Sequence, residues 1–138
     1  MPGTTVYPAG RTAPGVLPHP VGPREWIDRA RSSLALARST GRGVRVEDLC
    51  PLARQAVERA LCAVLVGEGL TPPPVPGVAP LLAALIGAGI PVPERLGRAA
   101  VLFGGEEPAE PVRIEKYYEA IMVASEAIRF AEERVGRH

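Results

Sequence analysis

The chain has 138 residues, a length that fits one compact domain and leaves no room for two ordinary ones. Apolar residues make up 46% and aromatic residues only 4%, so the core must form mainly from Ala, Leu, Val and Ile. The net charge of +1 argues against a strongly basic nucleic-acid clamp, and two cysteines are too few for a disulfide scaffold. No apolar run approaches the ~20 residues that span a bilayer and no secretory signal is visible, so we expect a cytoplasmic protein without membrane contact.

The first 22 residues are predicted to form a proline-rich extended arm. Six prolines fall within residues 1–23, where apolar periodicity is almost absent. Each proline removes a backbone donor and crowds the preceding turn, so this segment does not favour a helix. We therefore divide the chain into an arm at 1–22 and a helical bundle domain at 23–138, and expect the arm to contribute little to stability.

Three long helices are predicted from apolar residues that recur three and four positions apart. The first begins at Pro23 and stops near Thr40-Gly41, the second spans 48–66, and the third spans about 113–135. The second helix, with Pro51 in its first turn, is apolar over most of its circumference, which is typical of the central helix of a bundle.

One or two short helices are predicted between the second and the last long helix, over 81–88 and from 93 onward. Ile86 and Leu96 are expected among their core residues. The predicted fold is all-α, an antiparallel up-and-down helical bundle with three long helices and one or two short ones.

The residue types that carry most chemistry are scarce or poorly placed. Cys50 and Cys62 lie twelve residues apart on one predicted helix, roughly 18 Å, whereas a disulfide needs Cα atoms within about 7 Å. His19 lies in the arm and His138 is the last residue, so neither is expected to act as a general base. We predict no catalytic residue, no metal ligand and no cofactor, and interpret the acidic loop at 106–110 as a solvated surface.

Four charged residues are the candidates for contact with a ligand or a phosphate. Arg54 and Glu58 belong to a narrow polar stripe at 54–59 on the second helix, which fits the rim of a ligand groove. Their i,i+4 spacing is equally that of an ordinary surface ion pair, so both interpretations stay open. Arg95 and Arg98 are expected on the outer face of a short helix, where they can contact phosphate.

Several motifs follow one another in a recognisable order. The second predicted helix has an acidic start, then a Gln, a Glu with a basic neighbour, an Ala-Leu pair and further apolar residues. The matching positions along the chain are Glu25-Trp26, Gln55, Glu58, Arg59, Ala60, Leu61, Leu81-Leu82, Leu96, Ala99 and Glu110-Pro111-Val112. Over residues 24–135 this order resembles the HEPN domain family (higher eukaryotes and prokaryotes nucleotide-binding).

The resemblance implies a helical bundle that commonly forms dimers. It also implies a role as a ribonuclease toxin or as the partner of a small nucleotidyltransferase in a paired prokaryotic system. Ribonuclease members carry an Arg followed four to six residues later by a His, but here Arg98 is followed by residues 99–104 without a histidine. An Arg-Tyr-Pro and a His of nucleotidyltransferase-associated members are replaced by Gly104-Gly105-Glu106 and Pro76-Gly77-Val78.

The leading hypothesis is a non-catalytic HEPN-like binding protein, the partner of a nucleotidyltransferase-type protein in a toxin–antitoxin-like or nucleotide-related system, with weak RNA or nucleotide binding. One alternative is a divergent ribonuclease toxin that uses the four candidate residues, and another is a structural helical-bundle interaction protein. Metal-free RNA cleavage needs a group that titrates near neutrality, which argues against the ribonuclease. A homodimer is expected, because Val66, Met122 and Phe130 fall outside the main apolar stripes and are predicted to be exposed in the monomer.

Overall fold

The computed structural model describes residues 21–104 and 113–136. These residues form six helices, which are α1 (Pro23–Ala37), α2 (Val46–Gly67), α3 (Val78–Gly87), α4 (Glu94–Gly97), α5 (Ala99–Leu102) and α6 (Ile114–Val135). Neither described segment contains a strand, so the fold is all-α, as predicted. The predicted arm, apart from residues 21 and 22, and the acidic loop lie outside the described residues.

Helix α2 is the centre of the bundle, as its broad apolar circumference predicted. It contacts α1 on one side, α6 on another and α3 on a third. Val57 and Leu61, which lie near its middle, are both 0% exposed. A helix that is apolar on most sides must be covered on most sides to leave water, and three neighbouring helices provide that cover.

Alanine is the most frequent buried residue of the three long helices. The buried alanines of these helices are Ala30, Ala37, Ala53, Ala56, Ala60, Ala63, Ala120, Ala124, Ala127 and Ala131. Because the distance between helix axes depends on the side chains at the contact, short side chains bring the helices close together. A small core can therefore exclude water with almost no aromatic residues.

Helices α1 and α6 run antiparallel. The Tyr117 hydroxyl near the start of α6 donates a hydrogen bond of 2.7 Å to the carbonyl of Ala37 at the end of α1. Nearer the other end of the pair, the Arg31 guanidinium of α1 donates to the Glu132 carboxylate of α6. These two contacts fix the direction of α6 along the side of α1.

Helices α2 and α6 end side by side. The chain leaves α2 through Gly69, whose φ of +78° favours glycine, while the Leu70 N–H donates to the Leu65 carbonyl at 2.9 Å. Beside this turn, the Arg134 guanidinium near the end of α6 pairs with Glu68 at 3.0 Å. The two long helices are therefore parallel, and the chain returns between them through the short helices α3, α4 and α5.

Several helix boundaries differ from the sequence-based expectation. Helix α1 ends at Ala37, before Thr40-Gly41, and the predicted helix from 93 onward is split into α4 and α5. Helix α3 begins three residues earlier than predicted. Helix α2 begins at Val46, so Pro51 lies inside the helix and not in its first turn. An early turn, closed by the Asp48 N–H and the Arg45 carbonyl at 3.0 Å, extends α2 toward the amino terminus.

Two predicted exposures are wrong. Ile86, expected in the core, is 65% exposed because its side of the short helix α3 has no covering helix among the described residues. Phe130, expected on the surface, is only 7% exposed and belongs to the core. The short helix α4 packs against α6 and covers this side, a tertiary contact that helical periodicity does not reveal.

Candidate functional site

Arg54 and Glu58 form a pair on one face of α2. The Arg54 Nε lies 3.8 Å from the Glu58 Oε2, one helical turn away. Burial raises the pKa of the Glu58 carboxyl, and the guanidinium groups of Arg54 and Arg59 oppose that shift. A cavity of about 460 Å³ lies between this pair, the start of α3 and the end of α5.

Arg95 lies on α4 and Arg98 directly follows it, and both face α6. The Arg95 Nε pairs with the Glu126 Oε1 at 3.4 Å, whereas no described side chain pairs with Arg98. A cleft of about 500 Å³ between α4 and α6 is lined by both arginines and Arg129, and also by the carboxylates of Glu94, Glu126 and Glu133. Arg129 has no ion-pair partner in the described segments either, so two guanidinium groups of this cleft are available to a ligand.

A second cavity beside Arg95 and Arg98 is mostly apolar. It measures about 730 Å³ and runs along the first half of α6 under α5. Its apolar side chains include Val101, Tyr118 and Met122, which are 85%, 60% and 52% exposed. Exposed apolar side chains gathered in one groove are typical of a contact surface for another protein.

The four predicted candidates therefore divide into two pairs. Arg54 and Glu58 line one cavity, and Arg95 and Arg98 line two others. The ion pair expected from the spacing on α2 is present. Sequence periodicity did not reveal that Glu126 and Arg129 of α6 complete the cleft at Arg95 and Arg98, because this contact joins residues about thirty positions apart.

A buried polar cluster joins α1 to α2 through hydrogen bonds. Ser33, which is 1% exposed, donates from Oγ to the Gln55 Oε1 at 3.0 Å and accepts a hydrogen bond of 2.9 Å from the Arg59 Nη1. The same Nη1 donates to the Arg29 carbonyl at 3.3 Å. The sequence feature that could have indicated this cluster is a serine within the apolar stripe of α1, which packs against the helix that carries the polar stripe at 54–59.

The thiols and the acidic side chains do not form a reactive centre in the described part of the chain. Burial raises the pKa of the Cys62 thiol to about 11, with a further contribution from Glu58, and burial also raises the pKa of Cys50. Both thiols therefore stay protonated near neutrality. Residues 21–104 and 113–136 contain no cluster of three His, Cys, Asp or Glu side chains suited to a metal ion.

Comparison with protein families identifies the bundle. The HEPN domain model matches residues 23–135, which include all six helices. The chain belongs to the HEPN domain family. No curated protein and no solved structure matches it. HEPN domains have nucleotide-related, RNA-related or toxin–antitoxin-type functions. The match begins at residue 23, directly after the predicted arm.

None of the helices in the described residues has the length and apolar character needed to cross a membrane. The longest, α2 and α6, have 22 residues each and carry charged side chains along one face.

The buried polar cluster yields a stability prediction. Ser33→Ala removes the acceptor for Arg59 and the donor for Gln55, so we expect the free energy of unfolding to fall by about 1 to 2 kcal/mol. Ser32→Ala is the matched control, because the neighbouring Ser32 is exposed and gains the same helix propensity. Urea unfolding of both variants measures the difference, and equal stability would contradict a structural role for the Ser33 hydroxyl.

Proposed function

We propose that this HEPN protein binds a phosphate-bearing ligand, RNA or nucleotide, without cleaving it. The observation that carries the proposal is the cleft between α4 and α6, where Arg98 and Arg129 have no carboxylate partner among the described residues. Guanidinium groups suit phosphate because they stay charged and donate several hydrogen bonds in a plane. Arg95, held by Glu126 at 3.4 Å, stands beside them as a third donor.

The cleft supports binding better than turnover. An arginine does not shuttle protons because it stays charged at every working pH. The sequence contains two histidines, His19 and His138, and neither follows Arg98 at the spacing of ribonuclease members. Burial raises the pKa of the Glu58 carboxyl, but this group does not line the cleft at Arg98 and so cannot exchange protons with a ligand there. These observations favour the binding protein over the divergent ribonuclease.

Weak, salt-sensitive RNA binding without cleavage is the expected outcome of a direct test. Arg98→Ala should lower the affinity for single-stranded RNA by about tenfold at low salt. It should also reduce the slope of the logarithm of the binding constant against the logarithm of the salt concentration by about one. Arg24→Ala is the control, since it removes the same charge from an exposed site on α1. Fluorescence anisotropy measures binding, and incubation with cellular RNA, with and without a divalent metal, measures cleavage. Cleavage that survives purification and is lost in Arg98→Ala would establish the ribonuclease alternative.

We also propose that the chain forms a homodimer through the apolar groove of α5 and α6. Of the three residues expected to be exposed, Met122 alone is more than half exposed, while Val66 is half-buried and Phe130 is buried. Met122 lies beside Val101 and Tyr118 in the groove of about 730 Å³. Burial of this groove against a second copy would remove those side chains from water.

The dimer is tested by placing a charge in the groove. Met122→Asp should convert the dimer to a monomer, because an unpaired carboxylate is costly to bury in an apolar interface. Ile86→Asp is the control, an apolar residue on α3 that is also more than half exposed, and should leave the dimer intact. Sedimentation velocity at tens of micromolar measures both variants. A wild-type chain that sediments only as a monomer would refute the homodimer.

The partner that we propose is a nucleotidyltransferase-type protein acting in the cytoplasm as part of a toxin–antitoxin-like or nucleotide-related system. The proposal rests on membership of the HEPN family together with the lack of a histidine within six residues after Arg98. A nucleotidyltransferase encoded beside this chain should co-purify with it when only one of the two carries a tag. A stable complex would separate this function from a purely structural bundle, and two proteins that elute apart would contradict it.

A further inference from the structure

A smaller cavity lies along the polar stripe of α2 and shares no lining residue with the cleft at Arg98. It measures about 310 Å³, near the lower end of small-molecule sites. Its walls come from the first half of α1, the middle of α2, the linker at 73–77 and the start of α3. The side chains relevant to binding are Trp26, Gln55, Glu58, Arg59 and Leu81.

Arg59 is held in this cavity by neutral groups. Its Nη1 donates to the buried Ser33 Oγ at 2.9 Å and to the Arg29 carbonyl at 3.3 Å. Both acceptors belong to α1, so the guanidinium plane is fixed before any ligand arrives. The Ser33 hydroxyl is itself fixed, because it donates its proton to the Gln55 Oε1 at 3.0 Å.

Arg59 also differs from its neighbours in its charge balance. Arg29 pairs with Glu25 at 3.2 Å, and Arg54 approaches Glu58 at 3.8 Å. For Arg59, no carboxylate of the described residues lies within ion-pair distance. Its Nε and Nη2 keep their N–H donors free of described partners, and two parallel N–H groups of a guanidinium match the two oxygens of a carboxylate.

The remaining walls favour a ligand with an apolar body and one negative charge. Trp26, half-buried with the Arg29 guanidinium 5.4 Å from its ring centre, and the buried Leu81 offer apolar surface. The Glu58 carboxylate lines the same cavity and repels a second negative charge. Only Arg59 lacks an ion pair here, whereas the cleft at Arg98 has two such arginines, so this cavity suits a carboxylate better than a dianionic phosphate.

We propose that this cavity binds an organic carboxylate whose body is one apolar ring or a branched aliphatic group, with Arg59 holding the carboxylate and Trp26 and Leu81 contacting the body. The carboxylate comes from a free organic acid or from the terminus of a polypeptide. This site is separate from the phosphate cleft at Arg98, so either proposal stands if the other fails.

The fluorescence of Trp26 is a direct probe, since it is the only tryptophan of the chain and lines the cavity. Titration of the full chain with cyclohexanecarboxylate, which does not absorb where tryptophan is excited, should change the emission and saturate. Cyclohexanecarboxamide has the same shape without the charge and should bind about tenfold more weakly or worse. This comparison uses the wild-type protein and does not depend on any variant folding.

Two substitutions locate the anion. Arg59→Gln should weaken cyclohexanecarboxylate binding by about tenfold or more, and Arg59→Lys, which keeps the charge but loses the paired N–H edge, should give a smaller loss. Arg113→Gln, at an exposed position before α6, should leave the affinity unchanged. Circular dichroism confirms that each variant is folded.

A second pair of probes, N-acetylleucine and its amide, distinguishes the two sources of the carboxylate. If N-acetylleucine binds as tightly as cyclohexanecarboxylate, the site is supported and its ligand is a polypeptide terminus. If cyclohexanecarboxylate binds and N-acetylleucine does not, the site is supported and its ligand is a free acid. Equal affinity for the carboxylate and the carboxamide would overturn the proposal. So would a folded Arg59→Gln variant with wild-type affinity, or a wild-type chain whose Trp26 emission does not respond.

Discussion

Close contact among the alanine faces of α1, α2 and α6 is the constraint on which the rest of the structure depends. With 4% aromatic residues, the chain has few large side chains to fill space between helices, so the helices must approach one another to exclude water. This approach brings charged side chains at the edges of one helix within reach of the next. The hydrogen bonds from Arg59 to α1 and the pair of Arg134 with Glu68 are consequences of it.

The same constraint determines where the cavities lie. Three long helices in close contact leave little space between themselves, whereas the short helices α3, α4 and α5 cover α2 and α6 only in part. The four cavities described above all have a wall from these short helices or from the linkers that flank them. Binding surfaces therefore arise where the chain returns between two parallel helices, and the long helices act as the rigid frame.

Helical periodicity predicted the parts of the structure that depend on one helix at a time. The burial of Val57 and Leu61 and the pair of Arg54 with Glu58 follow from spacing along α2 alone. The burial of Phe130 and the exposure of Ile86 depend on which short helix covers which side, a property that no single helix carries in its own sequence.

The candidate sites were predictable to a similar extent. Arg95 and Arg98 were recognised as outward-facing arginines, but their neighbours on α6 were not, because residues distant in sequence meet there only after folding. The match to the HEPN family covers residues 23–135 and confirms the all-α bundle, and it assigns no role to any single side chain. The cluster of Ser33, Gln55 and Arg59 was not predicted, because its hydrogen bonds join two helices that meet only after folding.

Glu58 links two of these surfaces because it lines both the cavity beside Arg54 and the cavity of Arg59. Burial raises the pKa of its carboxyl, so the folded chain holds this proton more tightly than the unfolded chain, and the group's contribution to stability declines as the pH rises through its pKa. The carboxylate ligand proposed for the cavity of Arg59 would raise that pKa further, and by linkage protonation of Glu58 would strengthen its binding. Glu58 is thus shared by the two cavities, with Arg54 and Arg59 as the cations that oppose its protonation.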